Sequence, residues 1–283
     1  MSELPLGGLS SRVRLAAGGE MPVLGLGVFQ SPPGAATRQA VAWALQDGYR
    51  LVDTAAMYGN EADVGAAVRE SGISRAELFV TTKLWYTEHG YESAQRAARQ
   101  SLATLGLDYI DLYLIHWPRA PSPAVRLDTW RALEKLREEG LCRSIGVSNY
   151  TVRHLEEIRK GARTLPAVNQ VEFHPFVYDP ELLDYCAGHS IQLEAYSPLT
   201  RNRRLDDPMV ARVARAHGRS SAQVLIRWGL QHGVVEIPKS VHPERIRENA
   251  QVFDFELTSE EMDRLDSLRD RHRVTQWDPA EIP

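Results

Sequence analysis

Cysteine is scarce in this chain: Cys142 and Cys186 are its only two thiols, and neither falls in a C-x-x-C pair. Two cysteines cannot build a disulfide framework, so a reducing compartment, the cytoplasm, is expected. Long apolar runs are missing as well, and none approaches the ~18 residues that a membrane-spanning helix needs. The opening MSELPLGGLSSR lacks the basic start and apolar centre of a secretory leader. There is no basic excess: 33 Lys and Arg face 37 Asp and Glu, for a net charge of −4. That balance lacks the electrostatic footprint of a nucleic-acid binder, and the short basic runs at 201–204 and 269–273 read as solvated loops. No G-x-S-x-G elbow occurs, nor any H-x-H or H-E-x-x-H string, so neither a serine nucleophile nor a metal is expected. Gly25 and Gly27 resemble the start of a dinucleotide fingerprint, but position 30 is Gln and nothing helical opens there. A doubly wound nucleotide-binding sheet is rejected. Gly27 stays a candidate for close backbone or ligand approach.

What is present is regular alternation. Two β-like pieces flank Gly18-Gly19-Glu20 within 13–29, a hairpin signal, and the second piece, 22–29, doubles as the first strand of a larger sheet. Helix-like and strand-like stretches then alternate about every 30 residues, as βα units do. Helix 34–46, with Ala40, Val41, Ala44 and Leu45 at helical spacing, precedes strand 50–54; helix 61–70 precedes strand 78–83. Helices 91–105, 123–139, 151–160, 180–189 and 220–232 precede strands 110–116, 144–147, 167–172, 191–196 and 234–237. Helices 243–251 and 259–269 close the chain. Eight strands, mostly unalternating and apolar, imply a closed parallel sheet covered on its outside. The expected fold is α/β, a (β/α)8 barrel with an N-terminal β-hairpin and an additional C-terminal helix, in one domain over 1–283.

Three successive strands stop abruptly on polar residues: Asp53, Lys83 and His116. Tyr58 follows the first of them by five positions. In a parallel barrel, residues at the C-terminal strand ends converge on one site. A phenol with a pKa near ~10 is a poor acid or base at neutral pH. A neighbouring ammonium lowers that value, and a carboxylate beside the Lys holds it charged and oriented. Asp53, Lys83 and Tyr58 supply this set, and His116 adds a donor beside the reacting oxygen. The group suits proton delivery to a carbonyl becoming an alkoxide. A Schiff base on Lys83, as in an aldolase, needs the neutral amine that Asp53 disfavours.

With these residues the chain resembles the aldo-keto reductase family, particularly bacterial members similar to 2,5-diketo-D-gluconate reductase. The likeness spans nearly the whole chain and rests on GLGVFQ at Gly25, DTAAMYGNE at Asp53, KLW at Lys83 and LGLDYIDLYLIHWP at Leu105. It continues in SIGVSN at Ser144, NQVEFHP at Asn169, EAYSPL at Glu194 and IPKS at Ile237. The resemblance implies a catalytic tetrad of Asp53, Tyr58, Lys83 and His116, with Tyr58 the acid. It implies that Ser148, Asn149 and Gln170 bind the carboxamide of a nicotinamide, that Tyr196 stacks on its ring, and that Ser197 and Leu199 line the pyrophosphate channel. Lys239, Ser240 and Arg245 stand at the opening of a helix begun by His242-Pro243-Glu244, where phosphate is favoured and Arg grips it bidentately. By resemblance they bind the adenosine 2′-phosphate, with Glu248 and Asn249 on adenine, so NADP(H) is expected.

The expected activity is NADPH-dependent reduction of an aldehyde or ketone by a monomer whose partner is a small carbonyl compound. The alternative is a non-catalytic, cofactor-binding accessory subunit on the same fold. Where many relatives carry Trp or Tyr after the first-strand glycines, this chain has Val28-Phe29, so Phe29 is expected to stand in as pocket wall. Trp85, Trp117 and Trp277 are the other wall candidates. After Leu199 the chain runs Thr-Arg-Asn-Arg-Arg, short and basic, which implies no long belt over the cofactor.

Overall fold

The apolar runs form strands within a few residues of where they are expected. The computed structural model describes residues 4–16, 18–271 and 273–283. The first three residues of the stretch read for a leader, and position 272 in the second basic run, lie outside that set. Strands β1 (Arg12–Arg14) and β2 (Glu20–Pro22) pair antiparallel as the hairpin. Strands β3 (Leu26–Gly27), β4 (Leu51–Asp53), β5 (Phe79–Leu84), β6 (Ile110–Ile115), β7 (Cys142–Ser148), β8 (Val168–Glu172), β9 (Gln192–Tyr196) and β10 (Val235–Glu236) pair in parallel, each with the next. Bridges from Leu24 to Glu236 and from Gly27 to Lys239 join the last strand to the first. The protein is a (β/α)8 barrel.

The expected strand 22–29 is split. Val23 N–H bonds Ser11 in the hairpin, whereas Gly25 N–H bonds Glu236 across the barrel seam, so the chain changes partners between them. That exchange shortens both pieces. The seam is tight at Gly27, where a Cβ would lie 2.8 Å from the Ile237 carbonyl oxygen. Gly27 thus serves close backbone approach, and it also lines the pocket described below.

The helices α1 (Ala35–Gln46), α2 (Glu61–Glu70), α3 (Tyr91–Leu105), α4 (Pro123–Glu138), α5 (Val152–Arg159) and α6 (Pro180–Gly188) follow the strands in turn. Their starts are chemically marked: Ser122 Oγ and Asp179 accept first-turn N–H bonds, each before a proline that has no N–H to satisfy. The sequence reading misses one helix, α7 (Pro208–His217), which lies ahead of α8 (Ser221–Gln231). Its signals were present: Asp207 caps Met209 and Val210 N–H, Pro208 opens the turn, and Val210, Val213 and Ala214 make a buried stripe. Helices α9 (Pro243–Ala250) and α10 (Ser259–Asp266) complete the chain's regular structure. Among the described residues no helix is long and apolar enough to cross a membrane.

Side chains alternate across the barrel wall. Val52, Val80, Tyr113 and Ile115 join the outer core beneath the helices, while Leu51, Phe79, Leu112 and Leu114 join an inner one. Leu15 and Met21 of the hairpin region pack into that inner core and close the N-terminal end. Counting on by two from Leu51, Phe79 and Leu114 reaches Asp53, Lys83 and His116. The polar strand ends therefore point inward, at the opposite mouth.

Candidate active site

Asp53, Lys83 and His116 meet at the C-terminal end of the barrel. Lys83 Nζ lies 2.5 Å from Asp53 Oδ1 and donates to the Thr54 carbonyl at 2.9 Å. Its remaining hydrogen reaches the Tyr58 hydroxyl at 3.3 Å. Tyr58 sits on a single 3-10 turn, Ala56–Tyr58, released by Gly59 in the left-handed region at φ 69°. The buried Asn60 steadies this turn: its amide donates to Val28 O at 3.0 Å, and its Oδ1 accepts from Thr54 Oγ1 at 2.7 Å. Asn60 was not singled out in the sequence, although it closes the AAMYGN stretch.

Charge is balanced inside this cluster. Burial would lower the Lys83 pKa, but Asp53 and Tyr58 outweigh it and hold the ammonium above the ordinary lysine range. Burial pushes the Asp53 carboxyl up, and Lys83 and two hydrogen bonds oppose that rise. Tyr58 departs from expectation. Lys83 does pull its pKa down, yet burial is the larger effect and the phenol is pushed up to about 12. The site therefore holds Tyr58 as a protonated phenol rather than a phenolate. Burial, reinforced by Lys83, drives the His116 imidazole well below its ordinary value, so it is neutral at physiological pH. Its ring meets Tyr58 edge-on at 5.6 Å, and its Nδ1 has no partner among the described residues.

Above the cluster opens a cavity of about 490 Å³ lined by Asp53, Tyr58, His116, Phe29, Trp85, Trp117 and Trp277. All four expected wall residues are thus on it. Trp277 stacks on Trp85 at 6.1 Å and meets Trp117 edge-on at 5.1 Å. A carboxylate holds this tail in place: Glu172, at the end of β8, accepts from Val274 N–H at 2.6 Å and from Thr275 Oγ1 at 2.6 Å. Burial would raise the Glu172 pKa, but these bonds and His174 at 3.0 Å keep it below the usual carboxylate range. Met57, Gln30, Arg201, Asn202 and Thr275 also line the cavity and were not anticipated. Met57 sits on the same turn as Tyr58, Arg201 and Asn202 on a second 3-10 turn, and Gln30 and Thr275 in irregular segments, none with a periodic signal.

The residues expected around a nicotinamide lie on the same mouth. Ser148 Oγ donates to the Gln170 carbonyl at 2.8 Å, and Asn149 Nδ2 donates to the His116 carbonyl at 2.9 Å. Asn149 adopts a left-handed φ of 64°, which Asn tolerates. Tyr196 Oη donates to Asn149 Oδ1 at 2.7 Å. Gln170, Tyr196, Ser197, Leu199 and Lys239 line the cavity, which continues along the barrel mouth past the catalytic candidates. Ser240, Arg245, Glu248 and Asn249 do not line it; they lie beyond, at and along α9. No side chain caps the first turn of α9. Arg245 is exposed and makes no ion pair among the described residues, so its guanidinium is available to an anion there.

A carboxylate, an ammonium, a protonated phenol and a neutral imidazole under an aromatic funnel can bind and protonate one oxygen. The pattern of the Aldo/keto reductase family matches residues 23–270. The chain belongs to the aldo-keto reductases. It is 52% identical over 266 residues to glyoxal reductase of Bacillus subtilis, covering 94% of this chain and 95% of that protein. It is 48% identical to the 9,11-endoperoxide prostaglandin H2 reductase of Trypanosoma cruzi over 257 residues, 90% of each. Among solved structures, this aldo-keto reductase superposes with a TM-score of 0.89 on MGS-M4, an aldo-keto reductase from a Medee basin deep-sea metagenome library. That pair shares 45% identity over 94% of this chain and 97% of the other. The aldo/keto reductase of Brucella melitensis gives a TM-score of 0.87 at 44% identity, over 94% and 99% of the two chains. The family supports an oxidoreductase acting on carbonyl compounds with a nicotinamide cofactor.

Proposed function

We propose that this aldo-keto reductase uses NADPH to reduce a small aldehyde or dicarbonyl, such as glyoxal, to the alcohol, with Tyr58 as proton donor. One observation carries the reading: the Tyr58 hydroxyl lies 3.3 Å from the Lys83 ammonium, itself ion-paired with Asp53, at the base of a cavity. The likeness to a glyoxal reductase supports the substrate class.

The residues present fit a nicotinamide dinucleotide. Asn149 and Gln170 line the cavity and offer hydrogen-bonding groups to a carboxamide, Ser148 lies buried behind them with its hydroxyl on the Gln170 carbonyl, and Tyr196 offers a ring face. Lys239, Ser240 and Arg245 offer two cations and a hydroxyl to a phosphate at the uncapped start of α9. When bound, such a cofactor supplies the hydride. Tyr58 Oη and the neutral imidazole of His116 bind the carbonyl oxygen and polarise it. As negative charge builds on that oxygen, Tyr58 gives up its proton, and the Lys83 ammonium stabilises the phenolate left behind. Asp53 keeps Lys83 charged throughout. The tryptophans exclude water from the reacting carbon and accommodate the substrate's apolar parts. The same reading takes 1–283 as one domain working as a cytoplasmic monomer.

Tyr58→Phe tests the assignment. The ring and its contact with Phe29 are kept, so NADPH binding should persist while glyoxal-dependent NADPH oxidation falls by roughly 10²–10⁴-fold. Activity within a few-fold of the parent would remove Tyr58 from this role. NADPH binding by the parent with no turnover of any carbonyl in a panel of glyoxals, keto-sugars and aromatic aldehydes would favour the accessory-subunit reading.

A further inference from the structure

Glu194 is fully buried inside the barrel, yet nothing in the mechanism above uses it. It is the register partner of Gln170 on the neighbouring strand. Gln170 Nε2 donates to Glu194 Oε2 at 2.8 Å and to Asp53 Oδ2 at 2.8 Å. An amide nitrogen carries two hydrogens, so each carboxyl receives one. Turning the amide over would place its oxygen 2.8 Å from a carboxylate that is ion-paired with Lys83 and has no proton to offer. Asp53 therefore decides which end of the amide is which, and Glu194 fixes its direction by taking the second hydrogen. Nitrogen faces the barrel interior, and Oε1 is left for the cavity that Gln170 lines.

We propose that Glu194 is a positioning residue of this reductase: with Asp53 it clamps the Gln170 amide, so that a carbonyl oxygen faces the amino group of the cofactor's carboxamide. The proposal rests on the reductase reading for its effect on turnover, but the clamp itself belongs to the protein alone. Losing Glu194 leaves the amide on the Asp53 bond alone and free to swing about it, so the acceptor presented to the carboxamide loses its fixed direction. The nicotinamide loses its fixed orientation, and the alignment for hydride transfer goes with it.

The surroundings of Glu194 add a second, distinguishable consequence. Asp53 faces it from β4, Lys83 from β5, Tyr58 from its 3-10 turn, Gln170 from β8 and Glu236 from β10. Burial, then the Asp53 charge, push the Glu194 carboxyl up to about 8. At neutral pH it is protonated, and Oε2 accepts from Gln170 as a carbonyl would. Above that pH the new charge raises the hold of Tyr58 on its proton, so reduction slows. A glutamine at 194 keeps the acceptor and cannot ionise.

Two variants and two readouts test this. In the full chain without cofactor, the two Gln170 side-chain amide protons, assigned by their loss in Gln170→Met, should both be shifted downfield and slow to exchange. Glu194→Gln should preserve both signals, and Glu194→Leu should move one upfield and speed its exchange. In turnover with NADPH and glyoxal, Glu194→Leu should lower kcat by up to roughly tenfold, the worth of one hydrogen bond. Glu194→Gln should stay within about twofold at pH 7 and lose the parent's decline above pH 8. Unmoved amide signals in Glu194→Leu overturn the proposal. So does a Glu194→Gln profile that keeps the alkaline decline, a test that stands even if Glu194→Leu fails to fold. A parent inactive on every carbonyl would refute the reductase reading, and the amide signals would still judge the clamp.

Discussion

At the scale of single residues, the site works by making each polar group depend on another. Lys83 satisfies Asp53, the Thr54 carbonyl and Tyr58 with its three hydrogens, so no buried charge is left unpaired. Removing one partner from such a set costs far more than the set contributes as a whole. Arg245 is the contrasting case, an exposed cation with no ion-pair partner among the described residues, consistent with a ligand phosphate. Arg245→Ala should weaken NADPH by about 1.5–3 kcal/mol, the worth of a charge-assisted contact, which is roughly one to two powers of ten in Kd. NADH lacks the 2′-phosphate and should lose almost nothing. Titrating both dinucleotides into parent and variant by fluorescence quenching checks this; equal losses would make Arg245 a support for α9 instead.

At the scale of elements, strands hold the polar cluster and loops shape the cavity above it. Asp53, Lys83 and His116 are held by a hydrogen-bonded sheet, and their positions follow from the pleat. The aromatic wall is less constrained, because Trp277 comes from a tail whose place depends on Glu172. Thr275→Val removes the hydroxyl that donates to Glu172 at 2.6 Å while keeping the side-chain volume. With the Val274 and Thr275 amides still bound, the tail should loosen rather than detach. KM for an aromatic aldehyde should rise by about threefold to tenfold, as loss of one hydrogen bond allows, with kcat for glyoxal little changed. Steady-state kinetics on the two substrates decides it: a kcat loss of similar size on both would mean that the tail supports the Asp53, Tyr58, Lys83 and His116 cluster itself.

At the scale of the whole molecule, the barrel carries a cost in buried acid. Glu236 is fully buried where β10 meets α8, and neither carboxyl oxygen has a hydrogen-bond partner among the described residues. Burial, then the proximity of Glu194, push its pKa well above the ordinary value. An acid held protonated by the fold contributes its stability fully below its unfolded pKa near ~4.3, and loses it as pH rises through the folded value. Glu236→Gln cannot ionise. The difference in melting temperature, variant minus parent, should therefore increase steadily between pH 5 and 9. Thermal unfolding at several pH values measures it, and a difference independent of pH would show that Glu236 does not titrate with folding.

The barrel and its reactive end were legible in the order of residues because both follow from short-range rules. Eight apolar runs about 30 residues apart imply strands and crossovers, and two-residue alternation turns Asp53, Lys83 and His116 to one face. Helix α7 is equally legible, from the Asp207 cap and the Pro208 that follows it. What only the tertiary structure decided depends on distance between remote parts of the chain. The balance between burial and the Lys83 charge sets the Tyr58 pKa, and a string of letters does not report burial. Trp277 reaches the wall only because a carboxylate 105 residues earlier holds its tail, as the numbering shows. Glu194 became meaningful only when β8 and β9 aligned it with Gln170 and, through that amide, with Asp53. Sequence order names which groups are available; closure of the sheet decides which of them share a proton.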